Sequence, residues 1–271
     1  MSPLDWNLSQ ALHLAIVGAI IVGAMMLVLW AVHLLIRNAA IVDVGWALGL
    51  ALLALWYASA GPGYSARKWA IAAMAAFWGL RLAAYLLFAR VAGHPEEGRY
   101  VQLRKEWKKQ LPLRFLFFFE FQALLDVVLS LPFLIACLDQ RAPLGGVEKI
   151  AAGIWLLAIL GEALADWQLD AFKKNPANRG KTCQAGLWKY SRHPNYFFEW
   201  LVWVAYAGFA ITSPGGVLAL ISPVLILYFL LGVTGIPATE AQALRSRGDA
   251  YRKYQRTTSA FVPWFPKREK V

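Results

Sequence analysis

Between Gly186 and Trp203 the chain reads GLWKYSRHPNYFFEWLVW, a run dense in groups that can hold an anion. Lys189, Arg192 and His193 bring positive charge and N–H donors, and Tyr190 adds a phenol. Pro194 and Asn195 close the loop just before an apolar segment, whose helical N-terminus favours negative charge. The run predicts an anion-binding collar at a membrane face. His13 and His33 have no comparable surroundings.

A second group of candidates consists of ionisable residues inside apolar segments, where charge is costly and marks a cavity, a partner or a reaction. Asp43 lies in NAAIVDVGWALG, Arg81 in FWGLRLAAYLLFAR, and Glu120 and Asp126 flank Gln122. Glu162, Asp166 and Asp170 recur at spacing four, which sets three carboxylates on one helix face, and Glu199 follows the SRHPN loop. These acids either line a hydrated or ligand-filled pocket or pair with Arg81, Arg90 and Lys173 to hold helices together.

The tail, TEAQALRSRGDAYRKYQRTTSAFVPWFP, offers Glu240, Arg245, Tyr251, Tyr254 and Arg256 in a polar helix followed by a turn. Aromatic stacking on a base with arginines on phosphates is nucleotide chemistry, and the same pattern also suits an amphipathic helix on lipid. HExxH, Walker A, nucleophile-elbow and GxGxxG motifs are absent, so a zinc protease or a soluble Rossmann domain lacks support. Metal-ligand spacing is absent as well.

The elements that carry these residues are set by composition. The 271 residues are 59% hydrophobic and 16% charged, and the mean hydropathy of +0.48 lies outside the range of soluble domains. An all-α integral membrane bundle is expected, as one domain over 1–271, with cofactor binding in the half from about 150 to 271. Seven apolar segments fit transmembrane helices, over roughly 10 to 36, 40 to 60, 68 to 90, 114 to 138, 149 to 170, 196 to 212 and 215 to 236. The first follows the polar opening MSPLDWNLSQ and reads as a retained helix rather than a signal peptide.

The net charge of +11 sits in alternate loops, as the positive-inside rule describes, so membrane lipids and not nucleic acid are the expected polyanionic partners. Arg37, the loop 91–113, the loop 171–195 and the tail after Pro237 share the basic side, which places the N-terminus outside and the C-terminus in the cytoplasm. Cys137 and Cys183 then fall on opposite sides and cannot form a disulfide. Much of this charge serves topology and lipid headgroups alone.

Three stretches, RNAAIVDVGWALG, GLWKYSRHPNYFFEWLVWVAYA and GDAYRKYQRTTSAFVPWFP, resemble the bacterial members of the membrane steroid 5α-reductase family, over most of the chain. The resemblance implies seven membrane helices in a bacterial inner membrane, NADPH in a cytoplasm-facing cavity, and hydride transfer to the β-carbon of an enone. It implies a lipophilic steroid-like substrate that arrives from the bilayer, and a monomer is expected. Carried over by motif, Asn195, Glu199, Asp166, Lys173 and Arg81 match family positions, with Lys173 facing the 2′-phosphate, and Glu240 and Tyr254 match cofactor contacts in the tail. The family's catalytic glutamate and tyrosine are replaced by Asp43 nearby and by Trp78.

An enone takes hydride only as charge develops on its oxygen, so a proton donor is needed. Asp43, if burial keeps it protonated, and Tyr85, one turn from Arg81, are the candidate acid and phenol. Lys173, Arg179, Lys189, Arg192 and Arg256 supply cations for NADPH, and the loop 172–195 lacks a carboxylate for a free 2′-hydroxyl. Two other readings stand beside this one. Isoprenylcysteine-type methyltransferases, which use S-adenosylmethionine, share an RHP-aromatic loop, and a small transporter or lipid-binding protein would line a path with its charges, though no inverted repeat is visible.

Overall fold

The computed structural model describes residues 8–96, 98–233 and 235–267, so the first seven residues of the polar opening lie outside it. The described residues are helical with connecting turns, and their only β feature is an isolated parallel bridge between Ser191 and Ser259. The expected segments all form helix: α1 (Leu8–Ile36), α2 (Ile41–Ala60), α3 (Ser65–Leu86), α5 (Leu111–Leu129) with α6 (Leu131–Leu138), α7 (Gly146–Lys174), α8 (Pro194–Ala210) and α9 (Ile221–Tyr228). Three polar helices join them, α4 (Gly98–Trp107), α10 (Ile236–Arg247) and α11 (Asp249–Thr257).

The count of spans differs from the seven expected. Five helical stretches are long and apolar enough to cross a membrane, and the bent pair α5–α6 makes six. The expected segment 196–212 yields α8, with 17 residues, about 26 Å of helix at 1.5 Å per residue against a hydrocarbon core of about 30 Å. Pro132 in the first turn of α6 has no N–H to continue the ladder of α5, and the two helices meet at 41°. A π-turn, Leu87–Val91, extends α3, and another, Phe229–Val233, extends α9.

The chain divides into two compact units, 1–148 with 209–222 and 149–208 with 223–271. In the first, α2 is the central helix, with both its small and its large residues buried. Gly79 lets α3 lie against the backbone of Ala47, and Gly18 leaves room for Leu53 and Tyr57. The Tyr57 hydroxyl reaches Ser130 Oγ at 3.2 Å. Asp126 is fully buried with no hydrogen-bond partner among the described residues, and the bare Cα of Gly49 makes room for its carboxyl group.

One end of this unit is closed by buried charge. Arg67, 4% exposed, bonds Glu148 and the backbone oxygens of Asp139 and Arg141, and Asp139 in turn pairs with Arg141 at 2.7 Å. In the second unit α7 and α8 run antiparallel, since Trp155 Nε1 donates to the Tyr206 hydroxyl (3.1 Å), Gly161 faces the ring of Phe198 and Asn195 bonds Asp166.

Removing one partner of a buried pair leaves the other charge uncompensated, which costs about 3–5 kcal/mol. Arg67→Ala should therefore lower the detergent melting temperature far more than Arg141→Ala, whose side chain is 59% exposed. Equal shifts for the two variants in a thermal melt would contradict the assignment of Glu148 to Arg67.

Candidate functional site

The collar and the tail, far apart in sequence, meet in the second unit. The loop after α7 passes through two 3₁₀ turns, Pro176–Asn178 and Gly186–Lys189, before Pro194 opens α8. Gly186 takes a left-handed φ of +59° with its Cα against the Gln168 amide, where a Cβ would collide, and Gln168 accepts from Leu187 N–H at 2.8 Å. Trp188 Nε1 donates to the Ala165 oxygen at 2.9 Å. The loop is thus fixed to α7 from behind.

The tail is strapped along its other side. Arg192 N–H donates to Ser259 O at 2.8 Å and Trp264 N–H to Tyr190 O at 2.9 Å, while Ser191 Oγ donates to Phe261 O at 2.7 Å. The buried Tyr254 hydroxyl bonds the oxygens of Trp188 and Ser191, and burial first of all pushes its pKa upward.

Glu240 is the hub of this junction. Its Oε1 accepts from Arg192 Nε at 2.6 Å and lies 3.2 Å from His193 Nε2, and its Oε2 accepts from Gln255 Nε2 at 2.7 Å. The Tyr251 hydroxyl points to Oε1 at 3.4 Å. Burial alone would raise the carboxyl pKa, but the hydrogen bonds from His193, Arg192 and Gln255, with the charge of Arg192, outweigh it and hold the group at about 2. Arg192 also donates to the oxygens of Gln255 and Thr258, at 2.9 and 2.6 Å. The His193 ring stacks on Tyr196 at 5.4 Å.

Of the residues singled out by sequence, the structure brings Arg192, His193, Glu240, Tyr254 and Tyr190 into one junction, with Asp166 and Asn195 bonded at 3.2 Å beside it. Lys173, Arg179, Lys189 and Arg256 are solvent-facing, with the Lys189 ammonium 5.8 Å from the Tyr190 ring, and Glu199 is half-buried in α8. Cys183 is buried, which raises its thiol pKa, and it borders a cavity of about 260 Å³ with Trp167, Phe172 and Gly186. Sequence reasoning missed Ser191 and Gln255; their polar side chains inside otherwise aromatic or basic runs were the available signal.

Asp43, Arg81 and Tyr85 belong to the first unit, where all three are half-buried. Arg99 pairs with one carboxylate oxygen of Asp43, and the Tyr100 hydroxyl donates to the other at 2.8 Å. The phenol at Asp43 is therefore Tyr100 of α4. In the sequence Arg99 reads only as a topology charge, and 56 residues separate it from Asp43.

Helices of membrane-crossing length and a basic loop strapped to a polar tail define a multi-pass helical membrane protein. Residues 29–258 match the family described as Protein of unknown function (DUF1295), and the chain belongs to that family. It is similar to an uncharacterized protein of Schizosaccharomyces pombe, 27% identical over 269 residues, which cover 87% of this chain and 76% of the yeast protein. No solved structure matches.

A carboxyl whose pKa is depressed by folding contributes stability above its unfolded value and loses it as pH falls through the folded value. The Glu240 contribution should be constant above pH 4.5 and fade from there toward pH 2. Limited proteolysis of the tail should accelerate across that window, and Glu240→Gln should be cleaved faster at neutral pH with a flatter acid response. An acid profile unchanged in Glu240→Gln would remove Glu240 from the junction.

Proposed function

We propose that this protein is an NADPH-dependent membrane reductase of the carbon–carbon double bond of a 3-oxo-4-ene steroid or a similar lipophilic enone. Family membership over residues 29–258 and the resemblance of three motifs to membrane steroid 5α-reductases support the reading. The observation that carries it is the junction itself, which fixes the start of α8 beside a loop whose cations Lys173, Arg179 and Lys189 face solvent. Lys173 and Arg179 have no acid partner among the described residues. A dinucleotide with a 2′-phosphate suits this donor set, because each phosphate can take a charge-assisted hydrogen bond.

Bound NADPH would supply the hydride, and the chain's residues would bind, orient and protonate. Lys173, Arg179, Lys189 and Arg256 would face the phosphates. Arg192, committed to Glu240 and two backbone oxygens, would position the loop rather than neutralise a phosphate directly. His193, Tyr190, Asn195, Asp166, Glu199, Glu240 and Tyr254 complete the proposed cofactor surroundings in the second unit, and Arg81 keeps the cofactor role that the resemblance gives it. Asp43 and Tyr85 are the proposed acid and phenol, with Tyr100 a third group through its bond to Asp43.

In this reading the protein is a monomer in a bacterial inner membrane, with α8 as a short, seventh crossing, the basic loops and C-terminus in the cytoplasm, and the N-terminus outside. Mismatch of a few ångströms is absorbed by local thinning of the bilayer at modest cost.

Purification in mild detergent, followed by absorbance and mass analysis of the released small molecules, tests the reading. A reduced nicotinamide dinucleotide is expected, and S-adenosylmethionine in its place would favour the methyltransferase class. Lys173→Gln should weaken NADPH binding about tenfold, the value of one lost charge-assisted contact, and leave NADH binding unchanged, whereas Arg179→Gln should weaken NADPH binding by a similar factor. Full turnover of a 3-oxo-4-ene steroid in Asp43→Asn, Tyr85→Phe and Tyr100→Phe alike would end the assignment of the proton donors.

A further inference from the structure

The first unit contains a cavity of about 570 Å³ at the point where three membrane-length helices stop. Its walls include Val32 and Ile36 from the last turns of α1, Ile41 at the start of α2, and Leu87 and Val91 from the π-turn that ends the α3 span. Arg37 is the first residue beyond α1, and Val91 is the last of its span. The cavity therefore lies in the plane where apolar segments give way to polar ones, which in a bilayer is the depth of the headgroups.

The rim is cationic and the walls are apolar. Arg37 is exposed, with a left-handed φ of +54°, and has no acid partner among the described residues. His94, also exposed, adds ring nitrogens to the same lining. Glu96 is the one acid among the described lining residues, and its charge is already engaged: Arg104 donates to both its oxygens at 2.7 and 3.0 Å, and Ala39 N–H donates to Oε1 at 2.7 Å. Asn38 accepts from Ala40 N–H at 3.0 Å and reaches the His94 oxygen at 3.4 Å. These bonds tie the loop 92–96 to the α1–α2 turn, so the cavity is built rather than left by a loose loop.

We propose that this cavity binds the anionic headgroup of an acidic phospholipid, with the phosphate on Arg37 and His94 and the first part of an acyl chain along Val32, Ile36, Leu87 and Val91. A cavity of this size is within the range of ligand sites, about 300–1,000 Å³. An uncompensated arginine at the headgroup plane attracts anionic lipid, and the apolar wall below it selects an amphiphile over a soluble anion. The proposal does not depend on the reductase reading, since it uses none of the residues assigned to cofactor or proton donor.

The test titrates the full-length protein in neutral detergent with phosphatidylglycerol, with phosphatidylcholine of the same chains, and with inorganic phosphate, and counts retained lipid by native mass spectrometry. Wild type should hold one phosphatidylglycerol at least about tenfold more tightly than phosphatidylcholine, and the double variant Arg37→Gln/His94→Gln should lose that preference. Ala92→Trp, which fills the cavity from its rim, should abolish retention, whereas Arg114→Gln, an exposed cation elsewhere on the same unit, should leave it intact. Melting curves that match wild type establish that the variants are folded. Equal retention of both lipids by wild type, an unaltered preference in the double variant, or displacement of the lipid by inorganic phosphate alone would overturn the proposal.

Discussion

A polar side chain in a lipid-facing fold has no water to fall back on, so a carboxylate that keeps its charge must find its donors inside the protein or lie at an edge. Glu240 meets this demand in full. One carboxylate gathers an arginine, a histidine and a glutamine, and the tail is thereby tied to a loop some fifty residues earlier. Arg67 does the same at one end of the other unit with the charges reversed, a single guanidinium answering two carboxylates, Glu148 and, at 3.6 Å, Asp139, and two backbone oxygens. Each hub replaces several weak links by one that fails as a whole.

These hubs also explain why the collar reads as a binding motif and folds partly as a brace. A loop rich in Arg, His and Tyr satisfies an anion from outside or a carboxylate from its own tail with the same donors. Arg192 and His193 are spent on Glu240, while Lys173, Arg179 and Lys189 stay at the surface. Arginine's planar fork suits the fixed, backbone-directed role that Arg192 takes, and the compact, hydrated charge of Lys173 and Lys189 suits an exchanging ligand; Arg179, also at the surface, does not follow this division.

Much of the architecture was legible in the sequence because hydrophobic run length maps directly onto helix length. The expected segment 40–60 is the helix Ile41–Ala60, and 149–170 lies inside Gly146–Lys174. Three features were hidden for different reasons. The Asp43–Tyr100 bond spans 57 residues, and no local period announces it. The polar tail reads as one helix in the sequence, yet Gly248, at φ +53°, divides α10 from α11. The grouping of collar and tail was visible as composition, but the hub at Glu240 was not, since a lone acid in a basic segment has many possible partners.

The bend between α5 and α6 carries a wider consequence. Along α5, Phe117, Phe121 and Leu124 are exposed, whereas every residue from Pro132 to Leu138 is buried. Within one continuous greasy stretch the chain thus exchanges hydrocarbon tails for protein as its surroundings. A transfer scale scores both environments alike, because leucine is equally content in either. Counting oily stretches therefore measures how much surface avoids water, and the passage of the backbone from one leaflet to the other is a separate quantity, decided by kinks such as this one.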